Sequence, residues 1–338
     1  MRPPKSLAIM PGLMRREEIR EQKSSRTSLP SERLRGVLLP FTTPFGAGGE
    51  VDAAALCENI ARWNETGVAG YVALGSTGER VHLDERERAL VVESARACVP
   101  RELAFVVGVG EQSTRLAIFE ARRAADAGAD AVLALTPHFY RGALTQDALA
   151  EHFAAVADEA SVPVVLYNIP QNTGVAIAPE TVARLADHPN IVGIKDSSGD
   201  VANLVEMLRL AGARREDFAV LTGHAGVFYA SLCAGVRGAI LAAGCAAPRL
   251  SVEIYEAFVR AEHARALELQ RRLAPLARAL TVRFGVGGLK FALDLAGYSG
   301  GRVRAPLRGP GEEARREIAR LLEESERDSD GRGLLTLT

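Results

Sequence analysis

A (β/α)8 barrel followed by a C-terminal helical subdomain is the fold class this sequence predicts, and three observations carry it. Eight short apolar, β-branched runs alternate with amphipathic helical patterns between Gly36 and Leu241. Successive runs begin roughly 20 to 34 residues apart, the length of one strand–helix unit of such a barrel. Beyond the eighth run, helical periodicity continues to Glu323, more than the last helix of a barrel requires. A doubly wound open sheet would use fewer strands and a Gly-rich turn after its first strand. Here Gly108-Val109-Gly110 follows the third run, and the rest of the G-x-G-x-x-G pattern is missing.

In chain order, the predicted strands span Gly36–Pro40, Gly70–Leu74, Ala104–Val107, Ala131–Leu135, Pro163–Tyr167, Ile191–Ile194, Ala219–Leu221 and Gly238–Leu241. Runs such as Ile191-Val-Gly-Ile194 lack polar alternation, as expected of parallel strands covered on both faces. The helices predicted between them span Ala53–Asn64, Asp84–Cys98, Ser113–Ala127, Gln146–Ala160, Pro179–Ala186, Val201–Leu210 and Ala225–Cys233. Asp52, Asp84, Ser113 and Thr145 stand where N-caps belong, because their side chains can accept an orphan backbone N–H. Gly128 and Gly212 stand near helix ends, as C-cap residues do. In the C-terminal part, Arg249–Arg260, Ala264–Leu280, Gly288–Ala296 and Glu312–Glu323 repeat apolar residues at three- and four-residue spacing. The expected organisation is a disordered extension over 1–35, a barrel over 36–246, the helical subdomain over 247–324 and a frayed tail over 325–338.

Composition excludes several classes of function. A chain of 338 residues, 47% hydrophobic, can bury a full core, and its formal net charge of −1 gives no basis for a nucleic-acid partner or an anionic membrane surface. No apolar run approaches the ~18 residues of a membrane span. The Arg-, Ser- and Pro-rich start holds no signal-peptide core, and Glu17, Glu18 and Glu21 argue against a transit peptide. Cys57, Cys98, Cys233 and Cys245 lack CxxC spacing and read as reduced core thiols of a cytoplasmic protein. The six histidines are scattered without an HExxH pattern, so no metal site is expected.

Chemistry collects where barrels of this kind keep it, just past the strands. Lys195 ends the buried run Ile191–Ile194. Desolvation there disfavours an ammonium, and a neutral amine is a nucleophile toward carbonyls. The chain has only four lysines, Lys5, Lys23, Lys195 and Lys290, with Arg at every other basic position. Arg serves most surface roles but forms no imine, which makes a lysine kept in a buried strand informative. Tyr167 lies one strand–helix unit earlier, so its phenol and the Lys195 amine converge on neighbouring strand ends, where a phenol can relay protons. After the second strand, Gly75-Ser76-Thr77-Gly78-Glu79 offers two hydroxyls and backbone N–H groups as a carboxylate cradle. Tyr140, Arg141 and His224 are further candidates at the pocket mouth.

In this order and spacing, GSTGE (75–79), LYNIP (166–170) and GIKD (193–196) resemble the dihydrodipicolinate synthase / N-acetylneuraminate lyase superfamily of class I pyruvate aldolases, over about Gly36 to Leu322. The resemblance implies that Lys195 forms the imine with pyruvate and that Tyr167 relays protons. It assigns the keto-acid carboxylate to Ser76, Thr77 and Gly78, with Thr77 aiding the relay. It implies no cofactor and no metal, since the iminium supplies the electrophilic charge. The partners implied are a 2-oxo acid, an aldehyde and further copies of the chain, as a homotetramer built from two dimers with Phe139-Tyr140 near an interface.

Within the superfamily, Tyr140-Arg-Gly, Ile177-Ala-Pro-Glu, His188–Ser197 and Arg283–Lys290 are most similar to 4-hydroxy-2-oxoglutarate aldolase, which yields pyruvate and glyoxylate. Asn172 and Ser197 match that pattern, whereas the synthases usually carry Arg at the position of Asn172. The expected activity is therefore carbon–carbon cleavage or formation between pyruvate and an aldehyde, best read as 4-hydroxy-2-oxoglutarate cleavage. The alternatives are 4-hydroxy-tetrahydrodipicolinate synthase and a 2-keto-3-deoxy sugar-acid aldolase or dehydratase. Outside enzymology, the alternative is a non-catalytic keto-acid-binding protein.

Overall fold

A computed structural model of the chain describes residues 31–327. Eight parallel strands close into a barrel in sequence order: β1 Gly36–Leu39, β2 Gly70–Ala73, β3 Ala104–Val109, β4 Ala131–Leu135, β5 Val164–Asn168, β6 Ile191–Asp196, β7 Ala219–Thr222 and β8 Gly238–Ile240. β1 pairs with both β2 and β8, which removes the free sheet edge. The predicted strands are all present, with shifted ends. β6 runs two residues further than expected and so carries Lys195 inside the ladder. Close strand approach explains Gly193: a Cβ there would lie 2.3 Å from the Ala219 carbonyl oxygen.

The helices between strands follow the predicted pattern, from α1 (Ala53–Asn64) and α2 (Glu85–Cys98) to α3 (Thr114–Asp126), α4 (Gln146–Glu159), α5 (Pro179–Ala186), α6 (Val201–Gly212) and α7 (Phe228–Ala234). Asp52, Asp84, Ser113 and Thr145 each accept a backbone N–H as N-caps, and Asp84 with Glu87 forms a capping box. Gly128 takes the left-handed conformation past α3 (φ 89°). Gly212 does not act as a C-cap: it is the last residue of α6, and Ala213 follows it in right-handed geometry. Four helices complete the described residues, α8 (Pro248–Val259), α9 (His263–Arg278), α10 (Gly285–Leu295) and α11 (Glu312–Glu326), with a π-helical turn at Ala279–Arg283 between α9 and α10.

Two apolar clusters hold this architecture. One fills the barrel with Leu34, Leu38, Val72, Val106, Leu133, Val165, Val192, Leu221 and Ile240, and Tyr167 lies in its upper part. The other lies between strands and helices and runs on into α8–α11 through Leu269, Leu273, Leu289 and Ile318.

Three sequence expectations are corrected. Part of the expected disordered stretch is folded: Ser31–Leu34 forms a 3-10 turn, Leu34 is buried beneath the barrel, and the Arg33 guanidinium donates to the Leu103 carbonyl at 2.8 Å. Residues 1–30 lie outside the described residues. Ser325 and Glu326 belong to α11, where Arg272 donates to the Ser325 carbonyl at 2.8 Å, and the tail from 328 lies outside the described residues. The third correction concerns the thiols. Cys57 and Cys98 form a disulfide joining α1 to α2, Cys245 is buried as a free thiol, and Cys233 is exposed. Packing of consecutive barrel helices brings Cys57 and Cys98 to a Cα separation of 5.6 Å, which a spacing of 41 residues conceals in the sequence. The pairing removes one ground for expecting a cytoplasmic location.

Candidate active site

The carboxyl ends of β5 and β6 bring the two leading candidates together, because Tyr167 and Lys195 are direct register partners. Both are buried, each 4% exposed. The Lys195 Nζ lies 4.2 Å from the centre of the Tyr167 ring. The Tyr167 hydroxyl is 3.4 Å from the Ser76 Oγ at the end of β2. Amine, phenol and hydroxyl thus face one cavity of about 620 Å³ over the barrel mouth, lined by Ser76, Thr77, Tyr167, Asn172, Lys195, Ser197 and His224 among others.

Polar groups behind the cavity fix the strand ends. The Asn168 amide donates to Asp196 Oδ1 at 2.6 Å, and the Ser198 hydroxyl donates to Asp196 Oδ2 at 2.6 Å. Burial pushes the Asp196 carboxyl above its usual range, and these two bonds oppose the shift. The Ser197 N–H donates to the Asn168 carbonyl at 2.9 Å, and the Gly223 N–H to the Asp196 carbonyl at 2.6 Å, tying β5, β6 and β7 together. Gly223 also clears space: a Cβ there would lie 1.9 Å from the Ser197 Oγ and 2.8 Å from the Lys195 Cε.

The wall opposite Ser76 is polar. The short helical turn Pro170–Thr173 presents Gln171 and Asn172, and Gln171 donates to the Ser197 carbonyl at 2.8 Å. The His224 ring sits against Gly199 and Gly226, where added Cβ atoms would approach it to 2.9 and 3.0 Å. Its Nδ1 is buried without a hydrogen-bond partner among the described residues. The roof comes from the π-helical turn and α10, through Leu280, Thr281, Val282, Val286 and Leu289. π-helical turns recur beside functional sites.

Three sequence candidates lie outside this cavity, among them Arg141, which is exposed on the 3-10 turn Arg141–Ala143. Tyr140 is 75% exposed, packed edge-on against Phe139 with ring centres 5.0 Å apart. Gly78 is buried beneath the cradle, its carbonyl accepting the Thr43 hydroxyl at 2.7 Å. Sequence reasoning missed Gln171, though it adjoins Asn172, and gave no pocket role to the roof, whose residues are mostly apolar. A second cavity of about 530 Å³ between α2 and α3 contains the Arg88–Glu111 and Arg88–Glu120 ion pairs, and no strand-end candidate opens into it. Among the described residues, no group of three or more His, Cys, Asp or Glu is placed to hold a metal ion, and no helix is long and apolar enough to cross a membrane.

Fold and site together define a (β/α)8-barrel lyase of the class I pyruvate aldolase superfamily. The chain belongs to the dihydrodipicolinate synthetase family, whose model matches residues 33–325. It is 38% identical over 273 residues to the 4-hydroxy-tetrahydrodipicolinate synthase of Methanothrix thermoacetophila, covering 81% of this chain and 90% of that one. Among solved structures, a monomeric dihydrodipicolinate synthase variant superposes with a TM-score of 0.84 at 32% identity, covering 88% of this chain and 98% of its own. The E. coli K12 prophage protein YagE, of the same family and solved with pyruvate, superposes with a TM-score of 0.81 at 31% identity, covering 86% and 98%.

Proposed function

We propose that the chain is a Schiff-base aldolase that makes or breaks a carbon–carbon bond between pyruvate and an aldehyde, with Lys195 as the imine-forming residue. The observation that carries this reading is the buried Lys195 amine facing the Tyr167 phenol, with Ser76 beside that phenol. The Lys195 amine attacks the C2 ketone of a 2-oxo acid, and loss of water with uptake of one proton gives a protonated imine. The substrate carboxylate rests against the hydroxyls and backbone N–H groups of Ser76 and Thr77. In cleavage, Tyr167 takes the proton of the C4 hydroxyl, the C3–C4 electron pair moves into the iminium, and an aldehyde leaves. The remaining enamine takes a proton at C3, and water then releases pyruvate and the free amine. Condensation is the reverse.

For the aldehyde, the cavity content favours glyoxylate and hence 4-hydroxy-2-oxoglutarate. Its described lining holds no carboxylate to pair an ammonium and no guanidinium, so a zwitterionic aldehyde finds neither partner there. Asn172, Ser197 and His224 offer hydrogen bonds to a single small acid group. A second reading, 4-hydroxy-tetrahydrodipicolinate synthase, is favoured by the name of the Methanothrix relative. A homotetramer belongs to the proposal, supported by the exposed Phe139 and Tyr140, and light scattering that returned a monomer mass would remove it.

Borohydride with pyruvate tests the chemistry: a pyruvyl mass on the peptide holding Lys195 is expected, and an unmodified Lys195 overturns the imine. A panel of glyoxylate, aspartate semialdehyde, N-acetylmannosamine and sugar-derived aldehydes then decides the partner. Turnover with glyoxylate alone supports the first reading, turnover with aspartate semialdehyde the second, and turnover with the sugar-derived members replaces both. Pyruvate trapping with no turnover on any of them returns the protein to a keto-acid-binding role.

A further inference from the structure

Glu79 closes the turn that would hold the substrate carboxylate, and its backbone is unusual. Leu74 and Glu79 bracket Gly75–Gly78, and both have positive φ, 54° and 56°, although neither is glycine. Side-chain-bearing residues hold such angles when their surroundings over-determine them, and such positions cluster at functional sites. Here the surroundings form a closed ring. The Thr43 hydroxyl donates to the Gly78 carbonyl at 2.7 Å, and the Thr43 carbonyl accepts from the Lys290 Nζ at 2.7 Å. The same Nζ lies 2.6 Å from Glu79 Oε1, and Glu79 is bonded to Gly78 through the chain. Every member is buried: Thr43 is 0% exposed, Lys290 1% and Glu79 2%.

The ring has a second anchor. Glu79 Oε2 accepts the Arg304 N–H at 3.0 Å, and the Arg304 guanidinium reaches the Glu87 carboxylate and the carbonyls of Gly49 and His82. The Lys290 Nζ also donates to the Arg302 carbonyl at 2.6 Å and lies 4.3 Å from the Phe45 ring centre. Burial lowers the Lys290 ammonium from its ordinary range, and the Glu79 charge opposes that shift. Neither charge opens into the cavity, whereas the neighbours on each side do: Leu289 forms part of the roof, and Ser76 and Thr77 form the cradle. A buried pair of this cost is weak evidence for stability as such, so a role in fixing one geometry is the better account.

We infer that the Lys290–Glu79 pair is a positioning element, through which α10 of the C-terminal helices sets the geometry of the turn Gly75–Gly78 and hence the affinity for a 2-oxo acid's carboxylate. The inference rests on the proposed function in one respect, that this turn receives the carboxylate. Lys290 and Glu79 touch no reacting atom and act through the turn.

The experiment measures borohydride trapping of Lys195 against the concentration of pyruvate and of methyl pyruvate, whose carboxylate is masked. It uses the full chain, Glu79→Gln, and the double variant Glu79→Gln with Lys290→Met, which leaves no buried charge alone. Thermal unfolding and circular dichroism confirm the fold of each. Expected is a half-saturating pyruvate concentration raised about ten- to hundredfold, the scale of loss for misplaced binding groups. The trapping rate at saturation should change much less, and methyl pyruvate should lose little. A folded variant whose half-saturation is unchanged, or whose pyruvate and methyl pyruvate curves shift together, overturns the inference. If Lys290→Met prevents folding, Glu79→Gln alone decides. If the full chain traps both ketones equally well, the carboxylate cradle itself is wrong, and the inference falls with it. If it traps neither, the imine reading fails first.

Discussion

The two lysines of the described residues make an instructive contrast, because residue type and burial are the same in both. Lys290, 1% exposed on α10, is saturated by the Glu79 carboxylate and by two backbone carbonyls at 2.6–2.7 Å. Lys195, 4% exposed at the end of β6, faces the Tyr167 ring, and among the described residues no carboxylate lies within salt-bridge distance of it. A buried amine with a complete set of acceptors is a structural cation. One facing a cavity and a phenol is available to a carbonyl. Burial alone does not distinguish them, and the partner set does.

The most severe way to break the contrast is Lys195→Arg. Arg keeps the cation and cannot form an imine. Turnover should fall to background, and borohydride should leave no pyruvyl mass, while Lys290 stays unmodified in the unsubstituted chain. A labelled Lys290 would mean that saturation by acceptors does not silence an amine. Next in size is Tyr167→Phe. Removing the phenol should lower kcat by ~10²–10⁴, the contribution of a positioned general acid–base group, while leaving pyruvate trapping on Lys195 largely intact. Steady-state kinetics at saturating substrate measure the first, and intact mass the second. An unchanged kcat would assign the proton transfers elsewhere.

How far the sequence reveals this contrast follows from what local pattern can carry. The β-branched run ending at Lys195 and the unit spacing to Tyr167 identified two strand ends, and the register pairs those residues directly. Barrel geometry is regular enough for that step. Lys290 reads in the sequence as a rare residue in a helix and as the end of the segment Arg283–Lys290, without its ion pair, since its partners Thr43 and Glu79 come from the far end of the chain. The roof residues Val282 and Leu289 read as ordinary apolar positions, because long-range folding alone sets them over the cavity. Tyr140 failed as a pocket residue for a related reason: a loop position after β4 does not fix the direction of a side chain, and this one points outward. The Cys57–Cys98 bond belongs to the same class of long-range fact.

A smaller effect tests the space around the free amine. Gly223→Ala places a methyl group against the Ser197 Oγ and the Lys195 Cε. Overpacking of this kind costs ~1–3 kcal/mol, partly relieved by rotation of Ser197. Pyruvate trapping should slow by roughly the matching factor, about 5- to 150-fold, with Lys195 still the residue labelled. An unaltered rate would show that the amine reacts from a position away from Gly223.

An effect absent at neutral pH comes from a buried basic group outside both lysine sites. His152 on α4 is 7% exposed, with Thr114 Oγ1 2.9 Å from its Nδ1, and burial lowers its pKa from 6.5 to about 4. Above pH 6.5 the folded and unfolded chains both carry a neutral ring, so the group contributes no pH dependence there. Between pH 6.5 and about 4 the unfolded chain binds a proton that the folded chain refuses, so stability falls as pH falls. The full loss amounts to about 3 kcal/mol and levels off below the folded value. His152→Gln keeps a hydrogen-bonding side chain and removes the titration. Urea unfolding at pH 7 and at pH 4.5 should show the two proteins losing different amounts of stability, the variant about 2–3 kcal/mol less. Equal losses would mean that His152 is charged in the folded chain, and that burial without a charged partner does not keep this ring neutral.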